Sequence, residues 1–289
     1  MKINDLNEII VSGKRDDSNN KNISQKNMSH NLKKVLGRRP SLHKRNQIIK
    51  YSPTKFEHDV FGNITFKHSG DIGDLIYSLP VLRYYGGGFL NLNPNGLSTK
   101  KCDGTASGFN RDLIQFVLPL LQIQPYIKQC SIWDFSPCLI DGDYFRKVES
   151  GILNLCEKIL FSFGVPFSET EKPWIFCEPK KIAPFVFSRS FRYRNNDADY
   201  KKYIKNVDDC IVVGLQNEYD DFCSKFVKIQ FYKVKNLLDL AQVIQGCEKF
   251  YGNQSSPMSL AAAMHKPFVQ ESFKGHPDCM FNQPLAEYM

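Results

Sequence analysis

The 289-residue sequence lacks several features that would assign it to a specialised class of protein. Its longest apolar run, LIQFVLPLLQI at residues 113–123, falls well short of the roughly 20 residues that a membrane-spanning helix needs. The amino-terminal end has no apolar segment of the kind found in secretory signal peptides. Nine cysteines occur without a CxxC pair, which is typical of reduced thiols rather than of disulfides or a zinc site. These absences together predict a cytoplasmic protein.

Positive charge is concentrated at one end of the chain. Residues 1–50 carry 12 Lys and Arg against 4 Asp and Glu, and the totals of 38 and 30 leave 26 of each for the remainder. The composition predicts a disordered basic leader over residues 1–60. Its charge allows a peripheral contact with an acidic membrane surface, and a solvated tail is the simpler alternative. The neutral remainder argues against a specific nucleic-acid partner, which requires a basic face.

Strand patterns alternate with helical patterns on both sides of a Pro-containing linker at residues 166–179. Such alternation is typical of parallel sheets with right-handed crossovers. We predict an α/β fold of two Rossmann-like domains facing a cleft, over residues 61–175 and 176–289, in which ligands bind at the carboxyl ends of the strands. The predicted strands are FGNITFK, GFLNLNP, SIWDF, PFVFSRS, CIVVGL, VKIQFY, KFYG and PFVQE. One predicted helix starts at Leu75, and the other predicted helices are RDLIQFVLPLLQIQPYI, SGILNLCEKILFSFGV, NLLDLAQVIQG and PMSLAAAM.

The stretch HSGDIGDLIYSLP, at residues 68–80, joins the first predicted strand to a helix. Gly70 and Gly73 permit backbone angles that other residues avoid, but two carboxylates repel a phosphate. The glycine spacing also matches neither GxGxxG nor a P-loop. Two interpretations of the acids remain. In the structural interpretation, Asp71 is the helix N-cap and Asp74 lies at N3 in a capping box. In the functional interpretation, Asp74 is a general base that the helix N-terminus keeps ionised.

A second motif, KFYGNQSSPMSLAAAMHKPFVQE at residues 249–271, places a polar loop between a short strand and a helix of small residues. The strand ends at Gly252, and Ser256 followed by Pro257 is a natural helix start. Residues 253–256 offer N–H groups, hydroxyls and amides, with no carboxylate nearby. This arrangement favours a diphosphate or ribose site at the helix N-terminus. A well-capped, closely packed helix is the alternative.

Two further groups of residues follow predicted strands of the second half. Arg189, Arg192 and Arg194 leave its first strand, and we select the first two as clamps for a diphosphate. Exposed arginines at a strand end are the alternative. Gly214 ends a neighbouring strand, and Glu218 after it is a candidate partner for a ribose hydroxyl.

The tripeptide Asp141-Gly-Asp143 has the form of the DxD that binds a divalent cation and a nucleotide diphosphate in metal-dependent sugar transferases. Hard carboxylate oxygens suit Mg²⁺ or Mn²⁺. An Asp-Gly turn is the commoner meaning of such a tripeptide. We therefore predict no metal site.

Together the two motifs resemble those of the heptosyltransferase-like glycosyltransferases of family 9, which have the GT-B fold. The resemblance covers roughly residues 63–275. The family's opening segment, Gly-Asp-Val/Leu-x-x-x-x-Pro, matches Gly73, Asp74, Leu75 and Pro80. Its aspartate is the family's general base, so the resemblance gives that role to Asp74 and not to Asp71. The family's donor element, Asp-Thr/Ser-Gly-x-x-His-Leu-Ala, falls on Gln254, Ser255, Ser256, Ser259, Leu260 and Ala261, where Gln, Ser and Ser replace the acid, the glycine and the histidine.

The resemblance implies a metal-independent glycosyltransferase without a cofactor, which moves a sugar from a nucleotide-sugar donor to the hydroxyl of a glycan or other acceptor. The alternatives are a nucleotide-sugar epimerase or hydrolase, and a non-catalytic nucleotide-sugar or glycan-binding protein of the same fold. The loop at residues 95–110 is a candidate for acceptor contact. The predicted donor residues are Arg189, Arg192, Gly214, Gly252, Asn253, Gln254, Ser255, Ser256 and Ser259, and the predicted acceptor-side residues are Ser69, Gly70, Asp71 and Gly73.

Overall fold

A computed structural model of the protein describes residues 63–97, 107–148, 153–273, 275, 279–280 and 283–289. The predicted basic leader at residues 1–60, with its proposed membrane contact, lies outside the described residues, as does most of the predicted acceptor loop. Within the described part, no helix combines the length and apolar character that crossing a membrane requires. The chain folds into two parallel sheets, which confirms the predicted α/β class.

The first half of the chain forms a four-stranded parallel sheet and the helices around it. Its elements are β1 (Ile64–His68), α1 (Ile72–Tyr84), β2 (Gly88–Leu92), α2 (Arg111–Gln122), β3 (Ile127–Ile132), β4 (Ile140–Asp141) and α3 (Leu155–Ser162), with 3-10 turns at Gly142–Lys147 and Phe167–Thr170. The strand order is β3-β2-β1-β4. In β1 and β2 fully buried residues alternate with half-buried ones, so one face of this sheet carries most of the core.

The second half forms a six-stranded parallel sheet in the order β10-β9-β8-β5-β6-β7. Its elements are β5 (Phe185–Ser188), β6 (Cys210–Val212), α4 (Gln216–Lys225), β7 (Gln230–Phe231), α5 (Leu237–Gly246), β8 (Lys249–Asn253), α6 (Ser256–Ala263), β9 (Phe268–Glu271) and β10 (Ala286–Tyr288), with 3-10 turns at Lys201–Tyr203 and Val207–Asp209. The central strands β5, β6, β8 and β9 are almost wholly buried, as expected of a parallel sheet.

Four elements depart from the sequence-based expectation. Strands β4 and β10 have two and three residues, too few for an alternating pattern to be visible. Helix α4 is polar and buries only Phe222, so it has no apolar stripe to reveal its period. The strand predicted at SIWDF lies earlier, at β3. The division into domains at residues 61–175 and 176–289 stays a prediction.

The two halves pack on each other through the helices that follow the two sequence motifs. A Cβ built on Gly73 of α1 would lie only 3.8 Å from Ser259 Oγ of α6, so their first turns are in contact. Trp174, between the halves, donates from Nε1 to the Ile76 carbonyl at 2.8 Å and from its backbone N–H to the Ala263 carbonyl at 3.0 Å. One core cluster extends from the first sheet through these helices to the second.

Replacing Trp174 by alanine is expected to lower the free energy of unfolding by about 3–5 kcal/mol, because it removes a fully buried ring that contacts both helices. The matched control, Trp174→Phe, keeps an aromatic ring and loses the Nε1 donor, so its cost is smaller. Urea denaturation followed by circular dichroism measures both. A loss below about 1 kcal/mol for the alanine variant would contradict the structural role given to Trp174.

Candidate functional site

The loop between β1 and α1 is held tightly against a neighbouring loop of the first half. Gly70 has a φ of +95°, and a Cβ there would approach Gly108 Cα to 2.9 Å, so only glycine fits. Ser69 is 2% exposed, and its Oγ accepts a hydrogen bond from Asn93 Nδ2 at 3.0 Å. These contacts fix the backbone immediately before the two aspartates.

His68 anchors the same loop from inside the core. Its buried Nδ1 accepts from the Gly70 N–H at 2.9 Å, which places the ring proton on Nε2. Nε2 lies 3.2 Å from Ser78 Oγ, and that hydroxyl donates to the Asp74 carbonyl at 2.7 Å. Burial lowers the pKa of His68 to about 4. The imidazole is therefore neutral at physiological pH, as this set of hydrogen bonds requires.

Asp71 occupies the N-cap position of α1, but its side chain does not cap the helix. Its backbone carbonyl accepts from the Leu75 N–H at 2.9 Å, as an N-cap carbonyl does. The Oδ1 atom instead accepts from the Gly108 N–H at 2.8 Å, and Oδ2 lies 3.6 Å from Arg192 Nη1 in the second half. The capping-box interpretation of Asp71 is therefore wrong, because its carboxylate points away from the helix.

Asp74 is the third residue of α1, and its Oδ2 lies 2.8 Å from Arg146 Nη1. Burial raises the pKa of the Asp74 carboxyl; the charge of Arg146 opposes this rise, and the nearby Asp71 carboxylate adds to it. The sequence-based expectation was a carboxylate stabilised by the helix N-terminus. The direction is the opposite one, because the loss of solvation outweighs the favourable charges.

Arg146 is a functional candidate that the sequence reasoning missed. It lies in the 3-10 turn after β4, where Nη2 donates to the Gly70 carbonyl and Nε lies 3.5 Å from Asp143 Oδ1. With its ion pair to Asp74, one guanidinium ties the loop, the turn and the helix together. The sequence feature that could have identified Arg146 is its position three residues after Asp141-Gly-Asp143.

The carboxylates of the Asp-Gly-Asp tripeptide are both paired with one lysine. Lys67 Nζ lies 2.8 Å from Asp141 Oδ1 and 3.1 Å from Asp143 Oδ2. Asp143 also accepts a hydrogen bond from the Ser69 N–H at 3.3 Å. Across the described residues, no three or more His, Cys, Asp or Glu side chains are grouped so that they could hold a metal ion.

Arg189 is 5% exposed, and its guanidinium donates to both oxygens of the fully buried Glu271, at 2.7 and 2.9 Å. The Tyr200 hydroxyl donates to the same carboxylate at 2.8 Å, and the Asn195 N–H at 2.6 Å. This placement corrects the sequence-based choice of Arg189 as a diphosphate clamp. Withdrawing its guanidinium would leave a buried carboxylate without its counter-charge, at a cost of several kcal/mol.

Arg192 is held at the carboxyl edge of the second sheet through its backbone. Asn253, fully buried at the end of β8, donates from Nδ2 to the Arg192 carbonyl and accepts at Oδ1 from the Ser190 N–H at 3.0 Å. The Arg192 side chain is 30% exposed and faces Asp71. Asn253 was predicted as a donor contact, whereas its amide positions the loop that carries the arginine.

The other side chains of the second motif form internal hydrogen bonds. Gln254 is 5% exposed and accepts from the Phe273 N–H at 3.0 Å. Ser255 is the N-cap residue of α6, one position before the predicted one, but its hydroxyl makes no capping hydrogen bond. Ser259 is fully buried and donates to the Ser256 carbonyl at 2.7 Å. Ser255 and Ser256, both half-buried, are the hydroxyls at the start of α6 that reach the surface.

The two remaining glycines lie at strand ends of the second sheet. Gly214 has a φ of +147°, and a Cβ there would lie 2.8 Å from Glu218 Oε2. That oxygen accepts from the Leu215 N–H at 2.9 Å, so Glu218 caps the start of α4, and its contact with a ribose stays a prediction. Gly252 is buried within β8.

Comparison with known proteins identifies relatives of the fold. No protein-family model and no curated protein matches the sequence. Among solved structures, the E. coli heptosyltransferase WaaC with ADP matches with a TM-score of 0.52 and 8% identity, over 77% of this chain and 91% of WaaC. A glycosyl transferase of family 9 from Veillonella parvula DSM 2008 matches with a TM-score of 0.50 and 10% identity, over 81% of this chain and 88% of its own.

The chain has the fold of the heptosyltransferase-like glycosyltransferases. The iron-containing dodecameric glycosyltransferase TibC, from enterotoxigenic E. coli H10407, also matches, with a TM-score of 0.50 and 16% identity. That match covers 78% of this chain but 62% of TibC, so the chain spans less than two thirds of that protein. The likeness concerns the fold alone.

The pH dependence of stability tests the buried His68. Between pH 6.5 and about 4 the unfolded histidine binds a proton while the native one stays neutral, so stability falls as the pH falls through this window. This residue contributes up to about 3 kcal/mol of the loss. His68→Gln is expected to reduce the slope, measured by urea unfolding from pH 4 to 7. His265→Gln, at a half-buried histidine, is the control with a smaller effect. Equal slopes for His68→Gln and the unmodified protein would contradict the assignment.

Proposed function

We propose that the protein is a glycosyltransferase, which moves a sugar from a nucleotide-sugar donor to an acceptor hydroxyl. One observation carries the proposal: at the carboxyl ends of the two sheets, Asp71 of the first half lies 3.6 Å from Arg192 of the second half. Asp74 lies one turn further along the same helix. Parallel α/β sheets bind ligands at this edge, and a group transfer needs both a proton acceptor and an anion-binding group there.

Asp74 is the proposed general base. Burial raises the pKa of this carboxyl, which strengthens it as a proton acceptor, and Arg146 at 2.8 Å orients it. The acceptor hydroxyl gives its proton to Asp74 while its oxygen attacks the anomeric carbon. The bond from that carbon to the donor diphosphate breaks, and its electron pair leaves with the diphosphate. The acceptor then lies beside Asp71 and Gly73, because Ser69 and Gly70 of the predicted acceptor side are buried.

The donor diphosphate is assigned to Arg192 and to the first-turn N–H groups of α6. A guanidinium and a helix N-terminus both stabilise the negative charge that develops on the leaving group. Ser255 and Ser256 add hydroxyls at the same place, while Asn253 and Gln254 act through the backbone that they hold. The scheme uses no metal ion, because Arg192 and the helix supply positive charge, and Lys67 and Arg146 already pair with the Asp-Gly-Asp carboxylates.

A screen of ADP-, GDP-, UDP- and dTDP-sugars by thermal shift tests donor binding. The donor is expected to raise the melting temperature, since a ligand at 100 times its Kd adds about 2.7 kcal/mol of stability. ADP-sugars come first, because the matching WaaC structure contains ADP. Inorganic phosphate serves as the control for general anion effects. A flat response to all four nucleotide classes would count against a transferase.

Asp74→Asn tests the base. The variant is expected to keep the donor-induced thermal shift and to lose about 10²–10⁴-fold in kcat for transfer of labelled sugar to acceptors in a cell extract. Asp141→Asn, which removes an exposed carboxylate from the same half, is the matched control and keeps activity. Unchanged transfer by Asp74→Asn would place the base elsewhere. Nucleotide release without an acceptor would instead indicate a hydrolase, and donor binding without any turnover a binding protein.

A further inference from the structure

We infer that the Asp71 carboxylate stands in for the donor diphosphate, holding Arg192 until an anionic donor displaces it. The inference rests on the proposed function in taking the displacing anion to be a diphosphate. It gives Asp71 a role separate from that of Asp74, although both belong to the same motif. Asp71 then sets how strongly an anion must bind in order to enter the site.

The contact between these two residues joins the two halves. Among the described residues, Asp71 with Arg192 is the one ion pair that connects the first half to the second. It lies beside the first turns of α1 and α6, where the diphosphate is proposed to bind. An anion that enters there competes with Asp71 for the same guanidinium.

The geometry makes the Asp71 contact easy to exchange. The two charged groups are 3.6 Å apart, with side chains 22% and 30% exposed, and solvent-exposed pairs of this kind contribute little to stability. The neighbouring pair of Arg189 with Glu271 is the opposite case, since it is bidentate and 4% and 0% exposed. The structure thus contains one fixed arginine and one exchangeable arginine on the same loop.

Each partner is also held by contacts outside the pair. Asp71 Oδ1 is anchored by the Gly108 N–H at 2.8 Å, so Oδ2 is the oxygen that faces the arginine. On the other side, Asn253 holds the Arg192 carbonyl, while the guanidinium donates from Nη2 to the Tyr193 hydroxyl at 3.2 Å and lies over the Tyr193 ring. A diphosphate carries more negative charge than one carboxylate, so it is the stronger partner for the guanidinium.

A double-mutant cycle read out with inorganic pyrophosphate tests the inference. Asp71→Asn keeps an oxygen that accepts from Gly108 and removes the charge, so it is expected to tighten pyrophosphate binding about five-fold, the equivalent of about 1 kcal/mol. In an Arg192→Gln background the same change is expected to alter Kd by less than about two-fold. Isothermal titration calorimetry at one fixed ionic strength measures all four proteins. Asp71→Ala, which also loses the Gly108 contact, separates the structural role of Asp71 from its charge.

Each outcome decides between the alternatives. Equal tightening in both backgrounds would mean that Asp71 merely repels anions, and unchanged or weaker binding by Asp71→Asn would mean that the charge of Asp71 does not compete with the anion for Arg192. Either result overturns the inference and leaves the proposed function intact. If neither the unmodified protein nor Asp71→Asn binds pyrophosphate, the result contradicts both the proposed donor site and the inference.

Discussion

The close contact between the first turns of α1 and α6 is the constraint on which the site depends. Gly73 and Ser259 leave room for the first turns of the two helices to meet. Because each helix starts at the carboxyl end of a parallel strand, this contact brings the functional edges of both sheets together. Trp174 hydrogen-bonds to a backbone carbonyl of each helix, at Ile76 and at Ala263.

Ion pairs of alternating charge surround the contact between α1 and α6 and determine which side chains there are fixed. In the first half, Lys67, Asp143, Arg146 and Asp74 follow one another in contacts of 2.8 to 3.5 Å, so the carboxylate proposed as the base belongs to a continuous series of ion pairs. In the second half, the buried pair of Arg189 and Glu271 stabilises the loop that carries Arg192. Because the ion pairs on both sides are fixed, the contact of Asp71 with Arg192 is the one whose exchange costs the least free energy.

The sequence predicts features that depend on neighbours along the chain. The glycines and acids of the first motif, the helix start near Ser256 and most strands follow from local patterns. Contacts between distant segments are a different matter, since Arg189 and Glu271 are 82 residues apart and Arg146 and Asp74 are 72 apart. No local pattern shows that Arg189 faces inward while Arg192 faces outward. Likewise, Asn253 was recognisable as polar and special, but not as a group that holds a backbone rather than a ligand.

The central claim is that the second half presents Arg192 to the donor diphosphate, while the first half presents Asp74 to the acceptor hydroxyl at the same site. A crystal structure with the bound nucleoside diphosphate tests it most directly. The account predicts phosphate oxygens within about 3 Å of the Arg192 guanidinium and of the first-turn N–H groups of α6, with Asp74 on the sugar side. A nucleotide bound elsewhere, or one with Arg192 still turned to Asp71 and away from the phosphates, would contradict it.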